Sequence, residues 1–340
     1  MNRQTTALVC VLGLAAGCAH DKPQSNAPVN VSMPAPAPIP AVPPAKNEPI
    51  DAALADSAKR EIRQAFLSND PIIRANAIEA AQKTLGADAH DIVQAGLKDK
   101  APVVRFASTM AAGQLQLKDL HDQLLALASD PDQKVQIGAR FALHRVGDVR
   151  LSHDLEKTAK STDPRIREQT ALVLGRLGEK SALKILALMV NDPDTDVRIQ
   201  VAESMWIMGD EEALQVLVAG SVSKFADDQM YCLQAITGPK DRRVEPYVRG
   251  KLTGPYTEVC LVAARALGEL GMDDGYTVAM QSTRSKEPRH RFLSALALGA
   301  IGRSDAQSSL ATLLKDPEPS VRLAAATAVL ELKPPGTAGM

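Results

Sequence analysis

The chain has 340 residues, 45% of them apolar and only 3% aromatic, and its 39 Lys and Arg nearly balance its 40 Asp and Glu. This many aliphatic side chains can bury a large core, which excludes a wholly disordered chain. The chain has neither a basic excess nor a supply of stacking rings, which argues against a nucleic-acid-binding protein. The shortage of aromatic residues favours an extended stack of helical repeats packed from small and mid-sized aliphatic residues.

The first residues read as an export signal. One positive charge, on Arg3, precedes a short apolar run that ends at Ala16. The run is too short to span a bilayer, which takes about 20 residues. A basic start, a short apolar stretch and a small-residue exit are typical of a secretory signal peptide, which we assign to residues 1–17.

The exit from this run, Leu-Ala-Ala-Gly-Cys18, resembles a bacterial lipobox. The resemblance implies cleavage before Cys18 and acylation of that residue, although Ala15 stands where lipoboxes usually have Leu. Ala19, where an Asp would indicate the inner membrane, implies an outer-membrane lipoprotein that faces the periplasm. The alternative is an ordinary signal peptide followed by a chance Cys.

Residues 18–50 are predicted to be a lipidated Cys and a Pro-rich linker, because nine of the 22 prolines lie between residues 19 and 50. Proline fixes φ and lacks an N–H group, so this segment cannot be helical and should sample extended polyproline conformations. It could instead be a Pro-rich ligand for a recognition domain. Residues 334–340 are predicted to be a flexible tail.

Residues 51–333 are periodic. Steps of 31 residues from Arg74 reach nine positions without an insertion, and six of them are Arg: Arg74, Arg105, Arg167, Arg198, Arg291 and Arg322. The other three are Gln136, Gln229 and Cys260. Repetition at this period predicts an all-α fold, an α-solenoid of about nine helical hairpins.

Each unit can be interpreted physically. Asp-Pro opens a helix, because Asp caps free N–H groups and Pro suits the first turn. In five units a Gly eleven residues after the repeated position ends that helix in a left-handed cap: Gly147, Gly178, Gly209, Gly271 and Gly302. Two helices per unit cannot bury their apolar faces alone, so neighbouring units must stack.

Motifs such as Asp192-Pro-Asp-Thr-Asp-Val-Arg198 resemble HEAT repeats of the short, phycobilin-lyase type. In that family, Asp and Arg form a structural ladder of hydrogen bonds through the stack. The resemblance implies the following pairs: Asp70 with Arg74, Asp163 with Arg167, Asp192 or Asp196 with Arg198, and Asp316 with Arg322. The ladder should weaken at Gln136, Gln229 and Cys260.

Positions two, five and nine after the repeated position point away from the core. In the family this face lines the concave surface, which commonly binds partners. Here it combines apolar residues with Arg, which predicts a partner-binding face: Met110, Phe141, Arg145, Leu172, Arg176, Tyr231, Arg265 and Leu296. The alternative is a slightly apolar face without a partner.

Six of the ten aromatic residues lie in residues 206–276, where the repeat signature fades: Trp206, Phe225, Tyr231, Tyr247, Tyr256 and Tyr276. Either a partner site relaxed the repeat here, or the repeat drifted. Tyr and Trp are favoured interface anchors.

Few residues suggest chemistry. Cys232 and Cys260 lie in adjacent repeats, where the spacing of stacked helices favours two buried thiols over a disulfide. His90 and His121 recur 31 residues apart and could form a weak metal site, but solvated histidines at helix starts fit better. We find no catalytic motif and expect no catalytic residue, metal or cofactor.

The sequence therefore predicts a membrane-anchored lipoprotein, a non-catalytic scaffold or assembly factor whose concave face binds one or more envelope proteins. The alternative is an enzyme or enzyme subunit, lyase-like or ligand-binding, that uses the Tyr-rich stretch or the histidines. A bilin-transfer role in the cytoplasm conflicts with the export signal.

Overall fold

The computed structural model describes residues 38–46, 48–150 and 154–333. These residues form eighteen α-helices, and no strand occurs among them. The first helices of the hairpins are α1 (Ala52–Phe66), α3 (His90–Gly96), α5 (His121–Leu127), α7 (Leu155–Thr158), α9 (Ala182–Ala187), α11 (Glu211–Gly220), α13 (Glu245–Arg249), α15 (Tyr276–Ser282) and α17 (Gln307–Leu313). The second helices are α2 (Pro71–Thr84), α4 (Pro102–Leu115), α6 (Gln133–Val146), α8 (Pro164–Leu177), α10 (Thr195–Ile207), α12 (Ala226–Thr237), α14 (Thr257–Glu269), α16 (Pro288–Ile301) and α18 (Pro319–Glu331). The predicted all-α solenoid of helical hairpins is confirmed.

The second helices begin every 31 residues, from residue 71 to residue 319. Asp70 and Asp163 cap two of them, each carboxylate accepting a hydrogen bond from the backbone N–H two residues on. The five predicted glycine caps are left-handed, with φ between 68° and 107°. Gln116 and Lys240 occupy the equivalent position in their repeats and also have positive φ, 54° and 57°. The turn is thus left-handed in seven repeats, including two in which the residue is not Gly, whereas Leu85 at this position of the first repeat has a φ of −98°.

Neighbouring second helices approach closely at small residues. A Cβ atom added to Gly268 of α14 would lie 2.6 Å from the backbone N of Ile301 in α16. One added to Gly299 of α16 would lie 2.8 Å from the Cα of Ala328 in α18. This contact distance explains why the stack is built from alanine and glycine with few rings.

The Arg ladder runs between repeats, so the pairing expected within single repeats is wrong for Asp70 with Arg74 and for Asp163 with Arg167. Arg74 donates to Asp99 (Nε–Oδ2 and Nη2–Oδ1, both 2.8 Å), and Arg167 donates to Asp192 in the same way (2.6 and 2.7 Å). Arg105 with Asp130 and Arg291 with Asp316 repeat this geometry. For Arg74 and Arg167 the physical reason is that the Asp four residues earlier uses its carboxylate to cap the helix, whereas Ala101 and Glu287 stand at the equivalent positions before Arg105 and Arg291. The Asp of the following turn receives the guanidinium instead.

Arg198 and Arg322 do not pair with an Asp side chain. Arg198 donates to the backbone carbonyls of Asp192 and Pro193, and Arg322 to those of Asp316 and Pro317. Gln136, Gln229 and Cys260 keep one bond to the backbone of their own turn, at 2.7, 2.7 and 3.9 Å. They lack the second link to a carboxylate of the next repeat.

The stack closes on itself. Arg322 Nε of α18 donates to Glu61 Oε1 of α1 at 2.9 Å, although the two residues are 261 positions apart. Lys83 of α2 forms an ion pair with Glu331 of α18. The ninth repeat therefore packs on the first, and the second helices form an inner ring.

Residues 41–46 and 48–50, here called the strap, bind to the outside of the eighth and ninth repeats. Thr277 Oγ1 donates to the carbonyl of Ala41 at 2.9 Å, and Lys46 N donates to Asp305 Oδ2 at 3.2 Å. The sequence predicts a Pro-rich linker over residues 18–50. This part of it is instead bound to the ring. In the described ranges, no helix is long and apolar enough to cross a membrane.

Candidate interaction surfaces

The predicted partner-binding face lies inside the ring. Five of its members are buried: Met110, Phe141, Leu172, Arg265 and Leu296. Arg145, Arg176 and Tyr231 are partly buried. The expectation of an exposed apolar face is therefore wrong, because side chains of neighbouring second helices pack over these residues.

Charged groups meet in this interior. Burial raises the pKa of Glu79 to about 8, against the opposing effect of Arg265, Arg176 and Lys83. Glu79, Arg176 and Arg265 come from the first, fourth and seventh repeats, so their electrostatic contact spans the ring. Arg265 Nε also donates to Glu269 Oε1 at 3.0 Å. The inside of the ring is a packed core that contains charges, and a partner cannot reach it while the ring is closed.

The two recurring histidines each bind a carboxylate of the next repeat. His90 Nε2 lies 2.6 Å from Asp119 Oδ2, and His121 Nε2 lies 3.1 Å from Asp148 Oδ2. The hydrogen bond to Asp119 raises the pKa of His90. No group of three or more His, Cys, Asp or Glu side chains with metal-site geometry occurs in the described part of the chain.

The remaining predicted residues are distributed as follows. Cys232 and Cys260 are free and buried. Burial raises the pKa of the Cys232 thiol to about 12, which makes it a poor nucleophile. Cys18, the predicted lipidation site, lies outside the described residues.

The aromatic residues of 206–276 do not form one site. Trp206 is buried and donates from Nε1 to the carbonyl of Ile236 at 2.9 Å, and Tyr276 is buried elsewhere. Phe225, Tyr247 and Tyr256 are exposed. The region thus contains buried rings that belong to the core and exposed rings on the surface.

Phe225 and Tyr256 occupy the same position in the sixth and seventh repeats, the N-cap of the second helix. This position holds Asp or Glu in six of the other seven repeats and Ala101 in the second. Neither aromatic side chain makes a capping hydrogen bond, and the two are 38% and 41% exposed. Replacing an N-cap carboxylate costs about 1 kcal/mol of stability. Two consecutive repeats thus carry an exposed ring where a cap would stabilise the helix.

Further apolar side chains lie along the same edge of the ring. Leu188 and Val190 follow α9 in the fifth repeat, and Val222 follows α11 in the sixth; Leu188 is 75% and Val222 is 68% exposed. Together with Phe225 and Tyr256 these residues form what we call the aromatic edge. Exposed apolar residues grouped at one edge of a protein are a candidate interaction site.

Sequence reasoning missed the aromatic edge, although a signal was present. Aligning the nine repeats on their 31-residue period shows Phe225 and Tyr256 in a column of acidic residues. The exposure of Leu188 and Val222 had no such signal, because apolar residues are common at the ends of first helices.

Comparison with known proteins identifies the class. Residues 60–144, 121–205, 151–236 and 245–331 match the family described as HEAT repeats. These segments cover well over half of the chain, so the chain belongs to the HEAT-repeat family. No curated protein sequence matches it.

Solved structures give more distant likenesses. The complex of CpcE and CpcF of phycocyanin lyase from Nostoc sp. PCC7120 is 19% identical, covers 70% of this chain and 97% of that chain, and has a TM-score of 0.44. Human deoxyhypusine hydroxylase in complex with glycerol is 16% identical, with 81% and 96% covered and a TM-score of 0.36. Kap121p is 12% identical, with 79% of this chain but 37% of that chain covered and a TM-score of 0.35. At these scores the three structures carry no argument about function.

Proposed function

We propose that the chain is a lipid-anchored, non-catalytic protein-interaction scaffold of the bacterial cell envelope. Three observations support the proposal: membership of the HEAT-repeat family, the lipobox-like exit before Cys18, and the Pro-rich segment that follows it. HEAT-repeat proteins generally bind protein partners.

The aromatic edge is the surface we assign to the partner. The observation that carries this assignment is the pair of exposed rings, Phe225 and Tyr256, at consecutive N-cap positions. Aromatic side chains bring large contact areas at a low entropy cost and are enriched among binding hot spots. A partner that covers them would compensate for the capping energy that the two helices forgo.

The strap binds away from the aromatic edge and leaves that edge open to a partner. The strap meets the ring at Thr277 and Asp305, near the starts of α15 and α17. The aromatic edge lies at the opposite edge, where first helices end and second helices begin. If the ring is tethered through Cys18, the tether leaves from the edge opposite the aromatic edge and does not cover it. The tether between Cys18 and the strap could reach about 70 Å when extended.

The experiment that tests the partner site replaces both rings by a capping residue, Phe225→Asn with Tyr256→Asn. The double variant should gain about 1–2 kcal/mol of unfolding free energy, because Asn caps a helix as well as Asp does. It should also lose recovery of the partner in affinity purification from membranes. Loss of binding in a more stable protein cannot be attributed to misfolding.

Ala101→Asn is the matched control, since the second repeat also lacks a side-chain cap but has no exposed ring there. It should add stability and leave partner recovery unchanged. Undiminished recovery with the double variant would show that the partner binds elsewhere.

The anchor has an independent test. Labelled palmitate should enter the wild-type chain and not Cys18→Ser, and the variant should leave the membrane fraction. Labelling of Cys18→Ser would contradict the proposed lipidation without bearing on the aromatic edge.

A further inference from the structure

The strap lies on a shelf formed by the start of α15, the turn before α17 and the start of α17. Arg303 donates from Nη1 to the carbonyl of Pro43 at 2.9 Å and from Nη2 to that of Pro44 at 3.2 Å. Ser304 and Gln307 continue the contact, since Ser304 Oγ accepts from Glu48 N at 3.2 Å and Gln307 Nε2 donates to the carbonyl of Pro49 at 3.0 Å. These bonds all engage the backbone of the strap.

Two contacts hold the guanidinium of Arg303 in the position from which it donates to the strap. Its guanidinium lies over the ring of Tyr276, 3.7 Å from the ring centroid, and it also pairs with Asp305 at 2.7 Å. Tyr276 and Arg303 are both buried. A guanidinium fixed by stacking presents two donors in a set fork, which matches two successive carbonyl oxygens.

A Pro-rich segment suits this shelf for a physical reason. Proline offers a carbonyl and no N–H, and a polyproline segment is already extended, so little entropy is lost when it binds. An aromatic ring beside polar donors is the usual surface for such segments. The shelf therefore binds extended, proline-bearing backbone, and the side chains of Val42 and Ile50 add apolar packing against the core.

The repeat does not require these residues. Arg303 stands twelve residues after the repeated position, where the second to sixth repeats have Leu117, Asp148, Glu179, Asp210 and Asp241. Tyr276 corresponds to His90 and His121 in the second and third repeats. The two residues that build the shelf are departures from the repeat pattern in adjacent units.

The strap also acts on the seam between the ninth and first repeats. It leads directly into α1, and Asp51 N donates to Gln307 Oε1 of α17 at 3.1 Å, which ties the first repeat to the ninth. The seam itself contains a cavity of about 30 Å³ beside Glu79, Leu296 and Thr327. The Oδ1 atom of Asn76, at the wall of this cavity, is buried without a hydrogen-bond partner in the described structure. A buried unsatisfied polar atom weakens the interface that holds it.

We propose that the Tyr276–Arg303 shelf is a binding site for Pro-rich extended segments, and that its resident ligand, the strap, latches the ring closed. A Pro-rich segment of another protein competes with the strap for the shelf. Its binding releases the first repeat from the ninth and loosens the seam. This inference does not depend on the lipid anchor or on the aromatic edge.

A peptide of residues 38–50 tests the site, with binding to the full chain measured by fluorescence anisotropy. The resident strap competes at an effective concentration of about a millimolar, so wild type should bind the peptide weakly. The strap variant Pro43→Ser with Pro44→Ser should bind it at least about tenfold more tightly, a difference of about 1.4 kcal/mol. Adding Arg303→Ala to that variant should abolish the gain, and a peptide with both prolines replaced by Ser should bind poorly.

Absence of peptide binding to the strap variant at a millimolar, or equal binding after Arg303→Ala, would overturn the recognition site. Thr277→Val provides a milder shelf variant, because it removes one hydrogen bond to the strap while preserving the shape of the side chain. Because the peptide and the strap share this bond, the substitution should leave the weak peptide binding of the otherwise wild-type chain no stronger and should lower the affinity of the strap variant for the peptide.

Hydrogen exchange tests the latch. In the strap variant, amides of α1 and α18 should exchange at least about tenfold faster than in wild type, while those of α8, on another part of the ring, should be unchanged. The same change should follow addition of excess peptide to the wild-type chain. Unchanged exchange in α1 and α18 would refute the latch, whatever the peptide result.

Discussion

The fourth and seventh repeats pack in the ring in the same way but differ in their local interactions. In the fourth, Asp163 caps α8 and Arg167 links to Asp192 through two hydrogen bonds of 2.6 and 2.7 Å. In the seventh, Tyr256 makes no cap, and Cys260 has one weak contact with a carbonyl at 3.9 Å. Both second helices nevertheless begin in the same register and pack in the same ring.

The difference teaches that capping and the Arg ladder are dispensable in a given repeat, provided that its apolar period is kept. The seventh repeat has an aromatic residue at its cap position and an additional charge on its second helix. Tyr256 is exposed at the aromatic edge, and Arg265, five residues after Cys260, lies buried in the ring interior near Glu79. Local stability is thus exchanged for an exposed ring at the surface and a charged group in the interior.

Breaking the ladder where it is complete should have the largest effect. Arg167→Ala leaves the carboxylate of Asp192 buried without its cation, and we expect a loss of about 4 kcal/mol in unfolding free energy, measured with urea. Gln229→Ala, in a repeat without a carboxylate link, should cost only about 1 kcal/mol. Equal losses would show that the ladder adds nothing beyond its backbone bonds.

The interior carboxyl of Glu79 predicts a pH dependence. Its pKa is raised from 4.5 to about 8 by burial, so between these values the folded chain holds a proton that the unfolded chain releases. Stability contributed by this group is therefore lost as pH rises through that window. Glu79→Gln should be more stable than wild type by on the order of 3 kcal/mol at pH 9, with little difference at pH 4. Thermal unfolding at both pH values measures this.

If Glu79→Gln and wild type differ equally at pH 4 and pH 9, the buried carboxyl does not titrate in this window.

The close approach of the seventh and eighth repeats can be broken sterically. Gly268→Ala places a Cβ atom 2.6 Å from the backbone N of Ile301, which α16 must move to accommodate. We expect a loss of about 2 kcal/mol and a lower midpoint of urea unfolding. Gly254→Ala, where an added Cβ meets nothing within 4 Å, should change the midpoint little.

The smallest effect should come from the left-handed caps. Lys240→Gly relieves a positive φ of 57° at a residue with a side chain and should add about 1 kcal/mol. The reverse change, Gly271→Ala at φ 83°, should cost a similar amount. A thermal shift of the same sign for both variants would contradict this account of the hairpin ends.

The local features were predictable because they depend on short-range interactions. The glycine caps at Gly147 and Gly302 and the capping role of an Asp before Pro follow from backbone geometry alone. The pairing of Arg167 was not predictable in the same way, because its own repeat and the next both offer an Asp within reach. The choice of Asp192 is made by the stacking distance between hairpins.

The sequence by itself determined the repeat, its number and the class of fold, because a 31-residue apolar period can be buried only by stacking helical hairpins. The closure of the ring was decided by the tertiary structure. A small rotation per hairpin, summed over nine units, brings Arg322 to Glu61 and turns the expected concave face into an interior. Closure likewise brings the Pro-rich strap, which precedes α1, onto the shelf of the eighth and ninth repeats. This binding joins residues more than 230 positions apart.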